Sequence, residues 1–284
     1  MSDEPHPTAD RLGGLVVVAT PIGNLGDLSP RAAAALRDAD VVACEDTRRT
    51  AVLLRHAGST APMLPAHKHN EAARAADLVR RARAGQRVVL VSDAGMPGIS
   101  DPGARIVRAA VEAGVAVTVL PGASAVETAL VASGLPPEPF VFVGFFPRRA
   151  ADRRRLLDQL APFPATIVGF ESPRRVGSLL AELAEREPER PVAVCRELTK
   201  LHEQVLRGSA AEVAAALAEP PRGEVTVVLG PAAPREPTPE ALQRGLRVLL
   251  EAGVSPALTA EAAAAFGAAS RNAAYRAALA AAGR

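Results

Sequence analysis

The chain has 284 residues, 48% of them hydrophobic and 23% charged, and its formal net charge is only +2. This balance excludes a disordered chain, and the length exceeds the roughly 100 to 200 residues of a single domain, so we expect two domains. The small net charge excludes a uniformly basic nucleic-acid-binding surface. A polar start with Asp3 and Glu4, and no long apolar run, predict a cytoplasmic protein without a signal peptide or membrane span.

Short β-branched runs alternate with alanine- and leucine-rich segments from Leu15 onward. This alternation is typical of βαβ units and predicts a mostly parallel sheet in a first domain over residues 13–122. Helices are expected from about Pro30, through Leu53, from Glu71 to Ala84, and between Asp101 and Gly114. The predicted strands between them are LVVVAT, DVVAC, RVVLVSD and AVTVL.

A second set of strands, beginning with FVFVGFF, follows in residues 123–231. The runs Pro191–Leu198 and Leu201–Arg207 have no helix between them, which predicts a hairpin and therefore a mixed sheet in an α+β domain. A proline-rich linker and a small helical tail are expected over residues 232–284. Cys44 and Cys195 each lie in an apolar run and fit neither a disulfide nor a metal-ligand spacing, so we predict core positions and no metal.

The stretch VSDAGMPGISDPG, residues 91–103, follows the predicted central strand of the first sheet. Ligands of open α/β sheets bind beyond the carboxyl ends of the strands. Gly95 and Gly98 would allow close backbone approach, Asp93 would accept hydrogen bonds from a ligand, and Ser100 or Asp101 would cap the next helix. An ordinary turn accounts for the same composition equally well.

Two further loops also follow strands of the first sheet. LPGASAVETA presents small residues and opens a helix, and ATPIGNLGD leaves the first strand at Ala19. Neither contains a nucleoside-triphosphate or dinucleotide fingerprint. The three loops together predict one ligand cleft.

These loops belong to an ordered series of motifs that resembles the tetrapyrrole methylase superfamily and, within it, the ribosomal RNA small subunit methyltransferase I branch. The resemblance covers residues from about 15 to 230 and implies two α/β domains, a mostly parallel N-terminal and a mixed C-terminal sheet, and a small helical tail. The motifs are TPIGNLGD, EDTR at Glu45–Arg48, HNE at His69–Glu71, SDAGMPGISDPG, PGASA, ESPRR, RELTK at Arg196–Lys200 and GEV at Gly223–Val225.

The resemblance also implies a reaction. A homodimer would transfer a methyl group from S-adenosylmethionine to the ribose 2′-hydroxyl of a decoding-centre cytidine in the 16S rRNA of the small ribosomal subunit. The cofactor would lie between the two domains. Its implied contacts are Pro21, Asp93, Ala94, Gly95, Ile99, Gly122, Ala123, Ser124, Ala125, Glu224 and Val225.

Proton removal from the acceptor hydroxyl requires a base, either a lysine with a lowered pKa or a carboxylate beside a proton relay. Lys200 is the first candidate, with solvent exposure of a surface lysine as the ordinary alternative. Glu45 and Asp46 are expected to contact the acceptor ribose, while helix capping explains Asp46 equally well. His67, His69 and Asn70 lie together before a helix, where a histidine would relay a proton.

Arginines are the expected RNA contacts, because aromatic side chains are scarce. Phosphate clamps are predicted at Arg48, Arg174 and Arg175 and at an arginine cluster. The cluster consists of Arg148, Arg149, Arg153, Arg154 and Arg155. A solvated helix face is the competing interpretation of the cluster. Two alternative functions stay open: a C-methyltransferase of corrinoid or other tetrapyrrole precursors, and a non-catalytic RNA-binding factor.

Overall fold

A computed structural model describes residues 14–217, 219–233, 239–265 and 270–281. They form two compact units that divide between Ala232 and Ala233. The predicted domain start at residue 13 and residues 234–238 of the predicted linker lie outside the described residues.

The first sheet is parallel throughout, as predicted, because each strand is followed by a helix that returns the chain to the starting edge. Its strands are β1 (Gly14–Val18), β2 (Val41–Cys44), β3 (Met63–Pro65), β4 (Arg87–Leu90) and β5 (Val117–Leu120). They lie in the order β3-β2-β4-β1-β5. The helices are α1 (Pro30–Arg37), α2 (Thr47–Ala57), α3 (Glu71–Arg83) and α4 (Ala104–Glu112).

Both faces of this sheet are buried, which explains the continuous apolar runs in its strands. Val16 and Val18 pack with residues of α1 and α2 in one core. Leu15 and Val17 pack with residues of α3 and α4 in another. The loops that leave the carboxyl ends of β1, β2, β4 and β5 therefore meet at one edge.

The second sheet is mixed, also as predicted. Its strands are β6 (Phe140–Phe145), β7 (Thr166–Glu171), β8 (Pro191–Arg196), β9 (Gln204–Ser209) and β10 (Val225–Leu229). They lie in the order β6-β7-β10-β8-β9, with β6 and β7 parallel and all other pairs antiparallel. The predicted hairpin is the β8-β9 pair. The helices are α5 (Ala125–Ser133), α6 (Ala150–Leu160), α7 (Pro173–Arg186) and α8 (Ala210–Ala216).

The two faces of the second sheet have different neighbours. One face packs against residues of α6, α7 and α8. The other packs against α5 and against Ile22, which belongs to the loop after β1. Both cysteines are buried and free, as expected, and burial raises the pKa of Cys195 to about 11.

In the second compact unit the described residues form three helices, α9 (Pro239–Glu251), α10 (Pro256–Ala265) and α11 (Arg271–Ala281). Leu246, Ala260, Ala263 and Ala274 form its small core. Among all helices of the described residues, none has the length and hydropathy that a membrane span requires.

Candidate functional site

The loop after β1 joins the loop after β4 through two backbone hydrogen bonds. Thr20 N donates to the Gly95 carbonyl over 2.9 Å, and Gly95 N donates to the Thr20 carbonyl over 3.1 Å. The Thr20 hydroxyl also donates to the Ser92 carbonyl over 3.2 Å. These bonds hold the TPIG and SDAG segments side by side.

Gly95 is the point where three predicted cofactor loops converge. Its φ of +77° favours glycine, and a Cβ there would lie 3.6 Å from Ile22 Cγ2 and 3.9 Å from the Ala123 carbonyl oxygen. Gly122 is equally close to the first loop, since a Cβ at that position would lie 3.0 Å from the Ala19 Cβ. Thus the loops after β1, β4 and β5 form one small-residue cradle, as the sequence predicts.

The Asp93 carboxylate fixes the EDTR loop after β2. Its Oδ1 accepts a hydrogen bond from Asp46 N over 3.0 Å, and its Oδ2 lies 3.7 Å from Arg49 Nη1. Sequence reasoning missed Arg49, although it follows EDTR directly. A small cavity of about 80 Å³ opens here, lined by Thr20, Pro21, Leu25, Arg49, Thr50, Val52, Leu53, Ser92 and Asp93.

Two further carboxylates share this edge of the sheet and have raised pKa values. The pKa of Asp101 is raised to about 6. Burial is the largest cause, and the negative charges of Glu45 and Asp93 follow it. Burial and the charge of Asp93 also raise the pKa of Glu45, against the opposing influence of Lys68. Sequence reasoning assigned Asp101 only a capping role.

Asp46, unlike Glu45 and Asp101, has a lowered pKa. It is the N-cap of α2, where its Oδ1 accepts from Arg48 N over 2.8 Å, and both carboxylate oxygens accept from the Arg48 guanidinium. The Arg48 side-chain hydrogen bonds lower the pKa of Asp46 to about 2. The capping interpretation is confirmed, and the Arg48 guanidinium is paired with Asp46.

Lys200 is an ammonium group held by two carboxylates. Its Nζ donates to Glu197 Oε1 over 2.8 Å and to Glu224 Oε2 over 3.0 Å. Burial alone would lower the pKa of Lys200, but these two hydrogen bonds outweigh it and raise the pKa. The lowered pKa expected of a basic lysine is therefore wrong.

The RELTK turn that presents Lys200 has an unusual backbone. Glu197 and Thr199 have φ values of +49° and +67°, a region that a β-branched residue rarely adopts. The Glu197 carboxylate supports the turn by accepting from Glu224 N over 2.9 Å. A Cβ at Gly23 would lie only 2.4 Å from Lys200 Cγ, so this turn packs directly on the loop after β1.

The cap of α4 corrects another prediction. Neither Ser100 nor Asp101 caps this helix; instead Glu71 Oε1 accepts from both Gly103 N and Arg105 N, each over 2.9 Å. Glu71 is only 7% exposed. It belongs to the HNE motif and lies 32 residues before Gly103, so local spacing gave no signal of the contact.

The arginines divide into buried and exposed groups. Arg153 is buried against Glu182, with 2.9 Å between Nη2 and Oε2, so its expected part in a phosphate clamp is wrong. Arg175 is half-buried and pairs over 2.5 Å with the fully buried Glu171. Arg148, Arg149 and Arg174 are exposed.

The remaining residues predicted to contact the cofactor differ in burial and in packing. Val225 is central to the second sheet, and its side chain packs in the core on the α7 side rather than toward Ile22. Ser124 donates to the Glu127 carboxylate at the start of α5. Pro21, Ala94 and Ala125 are half-buried, whereas Ile99 is exposed. Within the described ranges, His, Cys, Asp and Glu side chains form no group suited to a metal.

The chain is similar to known proteins over most of its length. The family model described as Tetrapyrrole (Corrin/Porphyrin) Methylases matches residues 14–214. A relative from Mycobacterium bovis, named ribosomal RNA small subunit methyltransferase I, is 50% identical over 228 residues, which are 78% of this chain and 79% of that protein. A relative of the same name from Synechocystis is 43% identical over 250 residues, covering 87% and 89%.

The fold has solved counterparts. A uroporphyrin-III C-methyltransferase from Thermus thermophilus, determined in complex with S-adenyl homocysteine, has a TM-score of 0.54 and 24% identity. The match covers 76% of this chain and 97% of that structure. At 24% identity, this similarity shows only that the two proteins share a fold.

Proposed function

Because the chain belongs to the tetrapyrrole methylase family, and there to the ribosomal RNA small subunit methyltransferase I group, we propose that it methylates 16S rRNA. The proposed reaction transfers the methyl group of S-adenosylmethionine to the 2′-hydroxyl of a cytidine ribose in the decoding centre of the small subunit. We further propose a cytoplasmic homodimer, with the cofactor between domains of residues 13–122 and 123–231.

The convergence of three loops on Gly95 is the observation that supports this proposal best. The cradle fits a nucleoside cofactor because its backbone approaches closely at Gly95 and Gly122 and the Asp93 carboxylate stands beside it. Exposed Glu224 contributes a further carboxylate next to Lys200. When bound, S-adenosylmethionine supplies a methyl group that is already activated for attack by oxygen.

The chain must position the acceptor hydroxyl and take its proton. The proton becomes acidic as the new carbon–oxygen bond forms, so a weak base suffices once alignment is achieved. Glu45 is the base we propose, because burial raises its pKa and it lies within electrostatic range of His67. His67 Nδ1 is buried and has no hydrogen-bond partner among the described residues, which leaves it available for the relay.

Lys200 has a positioning role in this proposal. As an ammonium group it has no lone pair to accept a proton, but it draws Glu197 and Glu224 together and packs on Gly23. Asp46, with a pKa of about 2, stays ionised near neutral pH and orients Arg48. Arg48, Arg148, Arg149, Arg174 and Arg175 remain the proposed RNA-binding residues.

The test is incubation of the purified protein and labelled S-adenosylmethionine with small ribosomal subunits that lack the modification, followed by nucleoside mass spectrometry. We expect a new 2′-O-methylcytidine that Asp93→Ala abolishes and that the surface control Glu112→Ala leaves unchanged. Methylation of a tetrapyrrole but not of RNA would replace this proposal with the corrinoid alternative. Failure to bind S-adenosylhomocysteine would favour a non-catalytic RNA-binding factor.

A further inference from the structure

Phe145 is a large aromatic side chain left open to solvent at the end of β6. It is 58% exposed, although the next residue, Phe146, is 1% exposed. Its ring packs edge-to-face on Phe170 with 5.5 Å between centroids, and Phe170 packs in the same way on Phe142 over 5.1 Å. The ring is thus supported from within the sheet while much of its surface stays free.

The backbone next to this ring borders the SDAGMPGISDPG loop. A Cβ at the neighbouring Gly144 would lie 3.5 Å from the hydroxyl of Ser100, which belongs to the SDAGMPGISDPG loop. Ile99 in that loop is itself 51% exposed. Phe170 packs in the core that includes Ile22 from the loop after β1. Phe145 is therefore next in the chain to a residue beside one of the loops that border Gly95, and it packs on a ring that shares a core with the other loop.

Exposed arginines follow Phe145 in the chain and follow the strand that pairs with it. Arg148 and Arg149 follow Phe145 in the chain and are exposed. Arg174 is exposed near the start of α7, directly after β7, whose Phe170 is the register partner of Phe145. An open aromatic ring beside exposed cations is the combination that binds single-stranded nucleic acid by base stacking and phosphate contacts.

We propose that Phe145 is the stacking platform for an unpaired base of the RNA substrate, at or next to the nucleotide that is methylated. The proposal rests on the proposed function, because an enzyme that methylates one ribose hydroxyl must hold that nucleotide in position, and proteins recognise RNA sequence through unstacked bases on aromatic rings. The arginines then bind the adjoining phosphates. RNA recognition in this proposal therefore includes an aromatic contact, whereas composition favoured arginine alone.

The chain contains no tryptophan, so Phe145→Trp creates a single fluorescent reporter. Titration with a short single-stranded RNA that contains cytidine should quench this tryptophan through stacking. Phe163→Trp is the matched control, because Phe163 is 60% exposed and follows α6. Quenching of both variants alike, or of neither, would overturn the proposal. So would quenching of Phe145→Trp by S-adenosylhomocysteine alone, which would place the ring against the cofactor.

Enzyme kinetics provide a second, independent test of the stacking proposal. Phe145→Leu should raise the KM for unmodified small subunits by about 10- to 100-fold, the usual effect of losing one stacked base. Phe145→Tyr should restore it, and the Kd for S-adenosylhomocysteine should not change. A Phe145→Leu enzyme with unaltered KM would refute the platform while leaving methyl transfer established. A change of oligomeric state in light scattering would assign the ring to self-association instead.

Discussion

Neighbouring charges give four ionisable groups of the cleft different properties. Glu45 and Asp101 have raised pKa values because they are partly buried and near other carboxylates. Asp46 has a lowered pKa because Arg48 donates to it, and Lys200 is stabilised as a cation by two acids. The proton acceptor is thus expected among the first pair.

The proposed base predicts the pH dependence of methyl transfer. Glu45 accepts a proton only when ionised, so kcat/KM should rise with pH through a midpoint above the ordinary glutamate pKa and then level off. Glu45→Gln should lower kcat by roughly 100-fold and remove this acidic limb. Lys200→Met should lower the rate and keep the limb. A limb that disappears only in Lys200→Met would show that lysine is the base after all.

Asp101 predicts a pH-dependent stability. The folded protein binds its proton more tightly than the unfolded chain, so ionisation of Asp101 costs stability as pH rises from about 4 to about 6. Asp101→Asn removes this cost and should raise the free energy of unfolding at pH 8 by on the order of 1 kcal/mol. At a pH of about 4 the two proteins should unfold at nearly the same urea concentration. An equal difference at both pH values would contradict the assignment.

At the scale of elements, Glu71 connects the start of α3 to the start of α4. It accepts hydrogen bonds from the amide of the buried Gly103, which would otherwise have no acceptor, and from the amide of Arg105. The same interaction fixes the end of the loop that contains Asp93, Gly95 and Asp101. Glu71 therefore positions the cleft without facing a ligand itself.

Removing this cap should destabilise the protein. Glu71→Ala should lower the free energy of unfolding by about 2 kcal/mol, and Glu71→Gln by less, because an amide oxygen still accepts. Urea unfolding measures both. Glu112→Ala, an exposed change at the other end of α4, is the control and should be neutral. Equal losses in Glu71→Ala and Glu112→Ala would rule out the cap.

The elements themselves were largely predictable, and their long-range contacts were not. β-branched runs located the strands of the first sheet except β3, whose sequence MLP contains no β-branched residue, and the glycines predicted that the loops meet near Gly95, because backbone conformation and period are local properties. The Glu71 cap and the Glu182 partner of Arg153 join residues 32 and 29 positions apart along the chain. No local period encodes such pairs, and charge composition alone does not separate a buried arginine from an exposed one.

At the scale of the whole molecule, a net charge of +2 leaves RNA binding to local clusters. Replacing Arg148 and Arg149 by alanine should reduce the slope of log affinity against log salt by about 1 for each phosphate that the two side chains neutralise. Filter binding to unmodified small subunits at several salt concentrations measures the slope. An unchanged slope would favour the alternative interpretation, in which these arginines belong to a solvated helix face.

Arg153→Ala provides the matched control within the same cluster. Its guanidinium is buried against Glu182, so its loss should lower the free energy of unfolding by about 3 kcal/mol and leave the salt slope intact. The double alanine variant of Arg148 and Arg149 should show the opposite pattern, a changed slope with an unchanged melting temperature.

The strand order has a consequence for synthesis on the ribosome. The first sheet is complete once β5 has emerged, whereas β10, the last strand made, occupies the middle of the second sheet. Domains generally fold in the order of their synthesis. The nascent chain can therefore fold its first half early, while β7 and β8 wait for the strand that separates them. A chain that stops before Val225 would have a folded first sheet, but β7 and β8 of the second sheet would have unpaired edges. Such exposed edges would make it a target for chaperones and proteases.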